Sequence, residues 1–97
     1  MRETAKSRLQ SVSLGALRTF EVASRHLSFK AAAGELSVTP AAVSQGIRTL
    51  ENQLGLLLFE RFNRALRLTD AGALLARDLG PAFERIEDIL SQLPPRS

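Results

Sequence analysis

Hydroxyl-capped helical stretches from residue 13 onward, a basic hairpin near residues 59–68 and an apolar heptad seam after residue 70 together predict one fold class. It is mainly α: a three-helix core of winged helix-turn-helix type, a two-stranded wing, and a long C-terminal dimerisation helix. Ser13, Ser28, Thr39 and Thr69 each precede a run of helical periodicity. A hydroxyl at that position accepts a hydrogen bond from an otherwise unpaired N–H of the first turn. Between residues 56 and 69 the helical spacing lapses, and short alternating segments flank Arg61-Phe62-Asn63-Arg64.

Composition narrows the functional classes. Ninety-seven residues make one small domain. With 44% hydrophobic residues, pervasive disorder is not expected. The chain has no cysteine and one histidine, His26, so neither a disulfide nor a typical protein-only zinc site is expected. No apolar run approaches the ~18 residues of a membrane span. The segment MRETAKSRLQSVS lacks the apolar core of a secretory signal, so a cytoplasmic location without membrane attachment is expected. Residues 1–68 hold ten Lys and Arg against five acids, whereas residues 69–97 hold three against five. That polarity fits a phosphate-binding end and a separate pairing element, although charges of this kind also serve as ordinary solvated surface.

Residues 1–12 read as a flexible tail in which Arg2, Lys6 and Arg8 could touch phosphates, although a frayed terminus is the simpler account. A first helix runs from Leu14 to about Arg25. Its expected core is Leu14, Leu17, Phe20, Val22 and Ala23, with Arg18, Glu21 and Arg25 on the wet side. Ser28 caps a second helix, Phe29 to Leu36, with Leu27 and Phe29 expected to be buried. Ala31, Ala32 and Ala33 leave room for a neighbouring helix. Ser37 and Val38 form the turn, and Leu36, Val38, Val43 and Ile47 are expected to be the apolar anchors of the two helices. Thr39-Pro40 opens a third helix, because proline at the first helical position gives up an N–H that needs no partner there. Val43, Ile47, Leu50 and Leu54 give it one buried stripe, and Gly55 ends it. Ala41, Ser44, Gln45 and Arg48 fall on its exposed part. Gly46 costs ~1 kcal/mol relative to Ala in a helix, so it marks a close helix packing or a close approach of DNA, the first being favoured.

Ala33, Ser37 and Val43 occupy the first-helix contact, the turn and the second-helix anchor of a helix-turn-helix, which sets its second helix in a DNA major groove. The following hairpin is then a wing. Arg61, Arg64 and Arg67 give it a basic tip, and Asn63 suits the tight turn. Leu75, Leu79, Ala82, Ile86, Ile89 and Leu93 form a heptad seam, widened by Leu74, Phe83 and Leu90. The helix over residues 70–93 spans roughly 35 Å. That is more than so small a core can cover, so pairing with a second copy is expected. Pro81 interrupts its hydrogen bonding, and Pro94-Pro95 ends it.

The phrases LRTFEVASRHLSF, AAAGELSVTPAAVSQGIRTLE, LGLLLFER and LTDAG, in this order, closely resemble the N-terminal DNA-binding domain of LysR-type transcriptional regulators. RHLSF and LFERFNRALRLT most resemble the branch that contains the glycine-cleavage and β-lactamase gene activators. The resemblance covers residues 14 to about 93. It implies a winged helix-turn-helix over residues 13–69 and a dimerising linker helix over residues 70–93. It further implies a hinge beginning at residues 94–97, with an effector-binding domain of periplasmic-binding-protein type missing from this chain. By the same resemblance, Thr39, Pro40, Ala41, Ser44, Gln45 and Arg48 face the major groove. Arg61, Asn63 and Arg64 lie at the wing, and Ser28 and Lys30 touch phosphates. Gly46 and Phe62 depart from the residue types common in that family: the first removes a long polar side chain, and the second packs under the wing or meets sugars.

The expected function is sequence-specific binding of double-stranded operator DNA, an imperfect palindrome, by a homodimer. No cofactor is needed, and any small-molecule effector acts through the missing domain. The alternatives are a winged-helix regulator of another family, such as one resembling the molybdate-responsive regulators, or a protein-interaction module without specific DNA binding. No P-loop, nucleophile elbow, metal cluster or usefully spaced His/acid pair recommends an enzyme.

Overall fold

A computed structural model describes residue 8 and residues 10–96. The element order is α1 (Leu14–His26), α2 (Phe29–Leu36), α3 (Pro40–Leu54), β1 (Phe59–Phe62), β2 (Ala65–Leu68) and α4 (Asp70–Ser91). Each helix begins at the hydroxyl expected for it. Ser13 Oγ accepts from the Ala16 N–H at 3.0 Å, Ser28 Oγ from Ala31 at 3.1 Å, Thr39 Oγ1 from Ala42 at 3.1 Å, and Thr69 Oγ1 from Gly72 at 3.0 Å. Thr69 also donates its hydroxyl to the Leu57 carbonyl at 2.6 Å, so one side chain caps α4 and ties it to the segment before the wing.

The core lies where α1, α2 and α3 meet. Phe20, Val22 and Ala23 of α1 face Ala32 and Ala33 of α2 and Val43, Ile47 and Leu50 of α3. Leu58 and Phe59 close it from the wing side. The Phe59 ring lies 5.4 Å from Phe20 and 5.5 Å from Phe29, centroid to centroid, the second contact edge-on. These tilted pairs join β1 to α1 and α2. A Cβ built on Gly46 would stand 3.3 Å from Thr19 Cγ2, so that glycine serves close packing of α3 on α1.

Several positions depart from the sequence expectation. Leu14 is 61% exposed, and Ala16 takes the inward place. Glu21, assigned to the wet side, is only 6% exposed. Leu27 and Val38 are exposed because each sits at a helix junction instead of on a helix face. Leu27 and Ser37 cap α1 and α2 in the left-handed region at φ 51° and 59°. Glycine would adopt those angles without strain, whereas other residues give up roughly 1–2 kcal/mol. Within the expected tail, Arg8, Gln10 and Ser11 are helical, and Arg2 and Lys6 fall outside the described residues. Helix α4 ends at Ser91, short of Leu93, and its helical assignment continues across Pro81.

Candidate nucleic-acid interface

Helix α3 is two-faced by its spacing. Val43, Ile47 and Leu50 point into the core, which leaves Ala41, Gln45 and Arg48 exposed on the opposite side, and Thr39 and Pro40 exposed at the N-terminal end. Ser44 is half-buried at the edge of that face. Its Oγ accepts from Arg48 Nη2 at 3.0 Å, one turn along, which steers the guanidinium back along the helix. At the start of α2, Ser28 is half-buried and Lys30 exposed.

The wing is a hairpin with Phe59 opposite Leu68, Glu60 opposite Arg67, Arg61 opposite Leu66 and Phe62 opposite Ala65. Its turn is two residues long, Asn63 and Arg64, both left-handed at φ 51° and 66°. Positive φ at both central residues is the turn whose twist matches a β-hairpin. Because side chains alternate across a strand, this register sorts the basic tip expected from sequence into three environments. Arg61 lies on the inner face and shares a cleft with Ser44 and Arg48 of α3. Arg64 stands at the apex. Arg67 lies on the outer face, where its Nε donates to Glu60 Oε2 at 3.2 Å and its guanidinium covers the Phe62 ring at 4.4 Å. Phe62 is 54% exposed and does not pack under the wing.

Three further carboxylates hold the frame. Glu51 Oε2, near the end of α3, accepts from the backbone N–H of Leu58 at 2.8 Å and of Phe59 at 3.3 Å, fixing the base of the wing to the third helix. Glu21 accepts from Arg18 Nη1 at 2.8 Å and from Arg25 Nε at 2.7 Å. Arg25 Nη2 also donates to Glu35 Oε2 at 2.7 Å, and His26 Nε2 lies 2.7 Å from Glu35 Oε1. Hydrogen bonds from Arg25 and then His26 hold the Glu35 carboxyl down to about 2, while Glu35 and Glu21 push the Arg25 guanidinium further up. The cluster locks α1 to α2, so these charges are structural. It also contains a His/acid pair that sequence spacing did not reveal.

Gly72 is a further residue that sequence reasoning missed. Its Cα faces the Leu58 carbonyl so closely that a Cβ would collide with that oxygen. The glycine in LTDAG marked a resemblance, but its packing role depends on a chain segment fourteen residues away.

Among the described residues, no group of three or more His, Cys, Asp or Glu could hold a metal, and no helix is long and apolar enough to cross a membrane.

Comparison with known proteins agrees with this geometry. The chain is 56% identical over 79 residues to the HTH-type transcriptional activator AmpR of Providencia stuartii, covering 81% of this chain and 27% of that protein. It is 49% identical over 84 residues to the glycine cleavage system transcriptional activator of Escherichia coli K12, covering 87% and 28%. It therefore spans little more than a quarter of the length of these curated relatives, both of them transcriptional regulators. Among solved structures, the BenM DNA-binding domain in complex with catB site 1 DNA superposes with a TM-score of 0.76 at 28% identity, covering 81% of this chain and 88% of that one. The model of the bacterial regulatory helix-turn-helix protein, lysR family, matches residues 14–73, from the start of α1 through both strands of the wing to the first turn of α4. Helix order, wing and match coincide, and the chain belongs to the lysR family of bacterial regulatory helix-turn-helix proteins.

Proposed function

We propose that this chain is the DNA-reading module of a cytoplasmic bacterial transcription regulator that binds an imperfect palindrome as a homodimer. One observation carries the reading: α3 and the wing converge, so that Ser44 and Arg48 of the helix and Arg61 of β1 line a single cleft beside the exposed face of α3. A helix inserted in the major groove would then bring the wing to the neighbouring minor groove, where Arg is favoured by the negative potential. The DNA complex of the BenM domain supports this assignment by its likeness in fold.

In this reading Gln45 carries base recognition, because its amide can pair with both groups on an adenine edge. Thr39, Pro40 and Ala41 approach the bases at the start of α3. Ser44 positions Arg48, which contacts phosphate. Arg61, Asn63 and Arg64 follow minor-groove shape. Ser28 and Lys30 meet a phosphate at the N-terminus of α2. Pairing uses α4, where Ile86, Ile89 and Leu90 are exposed together at helical spacing, and the exposed Leu93 just beyond its end. Leu75 and Leu79, in the same seam, pack partly on the chain's own core, Phe83 is half-buried, and Ala82 is exposed at the junction. No cofactor takes part in DNA binding. Small-molecule control belongs to an effector domain of the kind the longer relatives have room for.

The test is selection from a random duplex pool at two salt concentrations, with sequencing of the bound fraction. The expected result is an enriched palindrome whose affinity falls steeply with salt. Salt-sensitive binding without enrichment would reduce the chain to a non-specific binder, and no binding would favour an interaction module. Gln45→Ala is expected to relax one position per half-site at a cost of about 1–3 kcal/mol. Uniform loss across all sequences would make Gln45 a positioning contact.

A further inference from the structure

The outer face of the wing holds an arrangement that phosphate binding does not require. Phe62 is a large apolar side chain, 54% exposed, one residue before the hairpin apex. Ala65 stands opposite it and is too small to cover it. Arg67 lies diagonally across, with its guanidinium against the ring and its Nε held by Glu60. A carboxylate and a ring together hold the Arg67 guanidinium on the wing surface, and Glu60 partly offsets its charge there. Arg61 and Arg64, in contrast, appear in none of the ion pairs among the described residues. The apex adds a second sign: Arg64 occupies a left-handed position where glycine would be unstrained. Strain retained at a loop tip points to a function of the side chain held there.

The geometry points to Phe62 as a specificity residue: its ring, braced by Arg67 on the outer face, with unpaired Arg61 on the inner face and unpaired Arg64 at the apex of the same hairpin, is an apolar probe that inserts against the sugars of the minor groove and selects deformable base steps. The inference rests on the DNA-reading function proposed above and extends it to positions outside the α3 contact. Flexible pyrimidine–purine steps open most easily to an apolar side chain pressed into the minor groove, and stiff A-tracts resist it. The two arginines draw the tip toward the phosphates that wall that groove. On this account Arg67 is a positioning residue and not a DNA contact.

The experiment repeats the random-pool selection with the unmodified chain, Phe62→Ala, Phe62→Leu and Arg67→Met. Thermal melts confirm that each variant is folded, which exposure of Phe62 makes the expected outcome. The unmodified chain should enrich pyrimidine–purine steps flanking the half-site letters, and Phe62→Leu should keep that enrichment. Phe62→Ala should lose it, with about tenfold weaker binding to flexible flanks and unchanged half-site letters. Arg67→Met should weaken the flank preference while leaving the salt dependence of binding unchanged. Identical flanks for Phe62→Ala and the unmodified chain would overturn the role of Phe62. A salt slope shallower by about one for Arg67→Met would make Arg67 a phosphate contact and overturn the bracing role. Failure of the unmodified chain to enrich any half-site would instead remove the DNA-reading function itself, so the two failures are separable.

Discussion

The two halves of α4 share one apolar repeat and lead different lives. Over residues 70–80 the helix lies on the core, with Gly72 buried and Ala71, Leu75, Ala76 and Leu79 packed against it. Over residues 81–91 Phe83 is half-buried, and Ile86, Ile89 and Leu90 are exposed, as is Leu93 just beyond. A heptad pattern says which face of a helix is apolar, but not what covers that face. Here the same stripe meets the chain's own core first and runs past it afterwards. Phe83 marks the crossing, with the Arg18 guanidinium 5.7 Å from its ring centroid.

Substitutions along α4 should reproduce that gradient. Gly72→Ala is expected to be the most damaging, at about 3 kcal/mol, because the new methyl must displace the Leu58 carbonyl and the wing base with it. Urea unfolding at fixed protein concentration measures this, and a loss below 1 kcal/mol would mean that the contact yields easily. Leu79→Ala should cost about 2 kcal/mol, less than a fully buried leucine, because the site is only partly covered. At the crossing, Phe83→Leu should cost about 0.5 kcal/mol through loss of the ring–guanidinium contact. Ile86→Asp combined with Ile89→Asp should leave the unfolding of the isolated chain nearly unchanged, yet abolish pairing by placing charge in an apolar seam. Sedimentation separates the last pair of effects. A double variant that still forms dimers would place the pairing surface elsewhere, and one that fails to fold would erase the distinction between the halves.

Sequence reasoning succeeded where the cause is local. The hydroxyls of Ser13, Ser28, Thr39 and Thr69 act on N–H groups three residues away, so each helix start was visible in a short window. The spacing of Val43, Ile47 and Leu50 likewise identified the exposed face of α3. It failed where the cause comes from elsewhere in the chain. Burial of Glu21 depends on Arg18 and Arg25 folding over it, and Arg25 in turn reaches Glu35 on the next helix. Leu14 and Leu27 have apolar character but stand at helix ends, where periodicity ceases to indicate an inward direction. The wing lies between these cases. With Asn63 and Arg64 as a two-residue turn, pairing of Glu60 with Arg67 follows from counting, and the basic tip divides between two faces and an apex.

The carboxylate of Glu51 has a consequence for how a binding site must be laid out. Two backbone N–H groups at the root of the hairpin are fastened to the last turn of α3, and the buried Phe59 ring is held between Phe20 and Phe29 just beyond. Helix and hairpin thus behave as the two arms of a fixed caliper, without an adjustable joint between them. A caliper tolerates changes in what its points touch, but not in how far apart those touching points lie. Inserting a single base pair between the helix-facing and wing-facing segments of a half-site should therefore do more harm than changing a letter within either one.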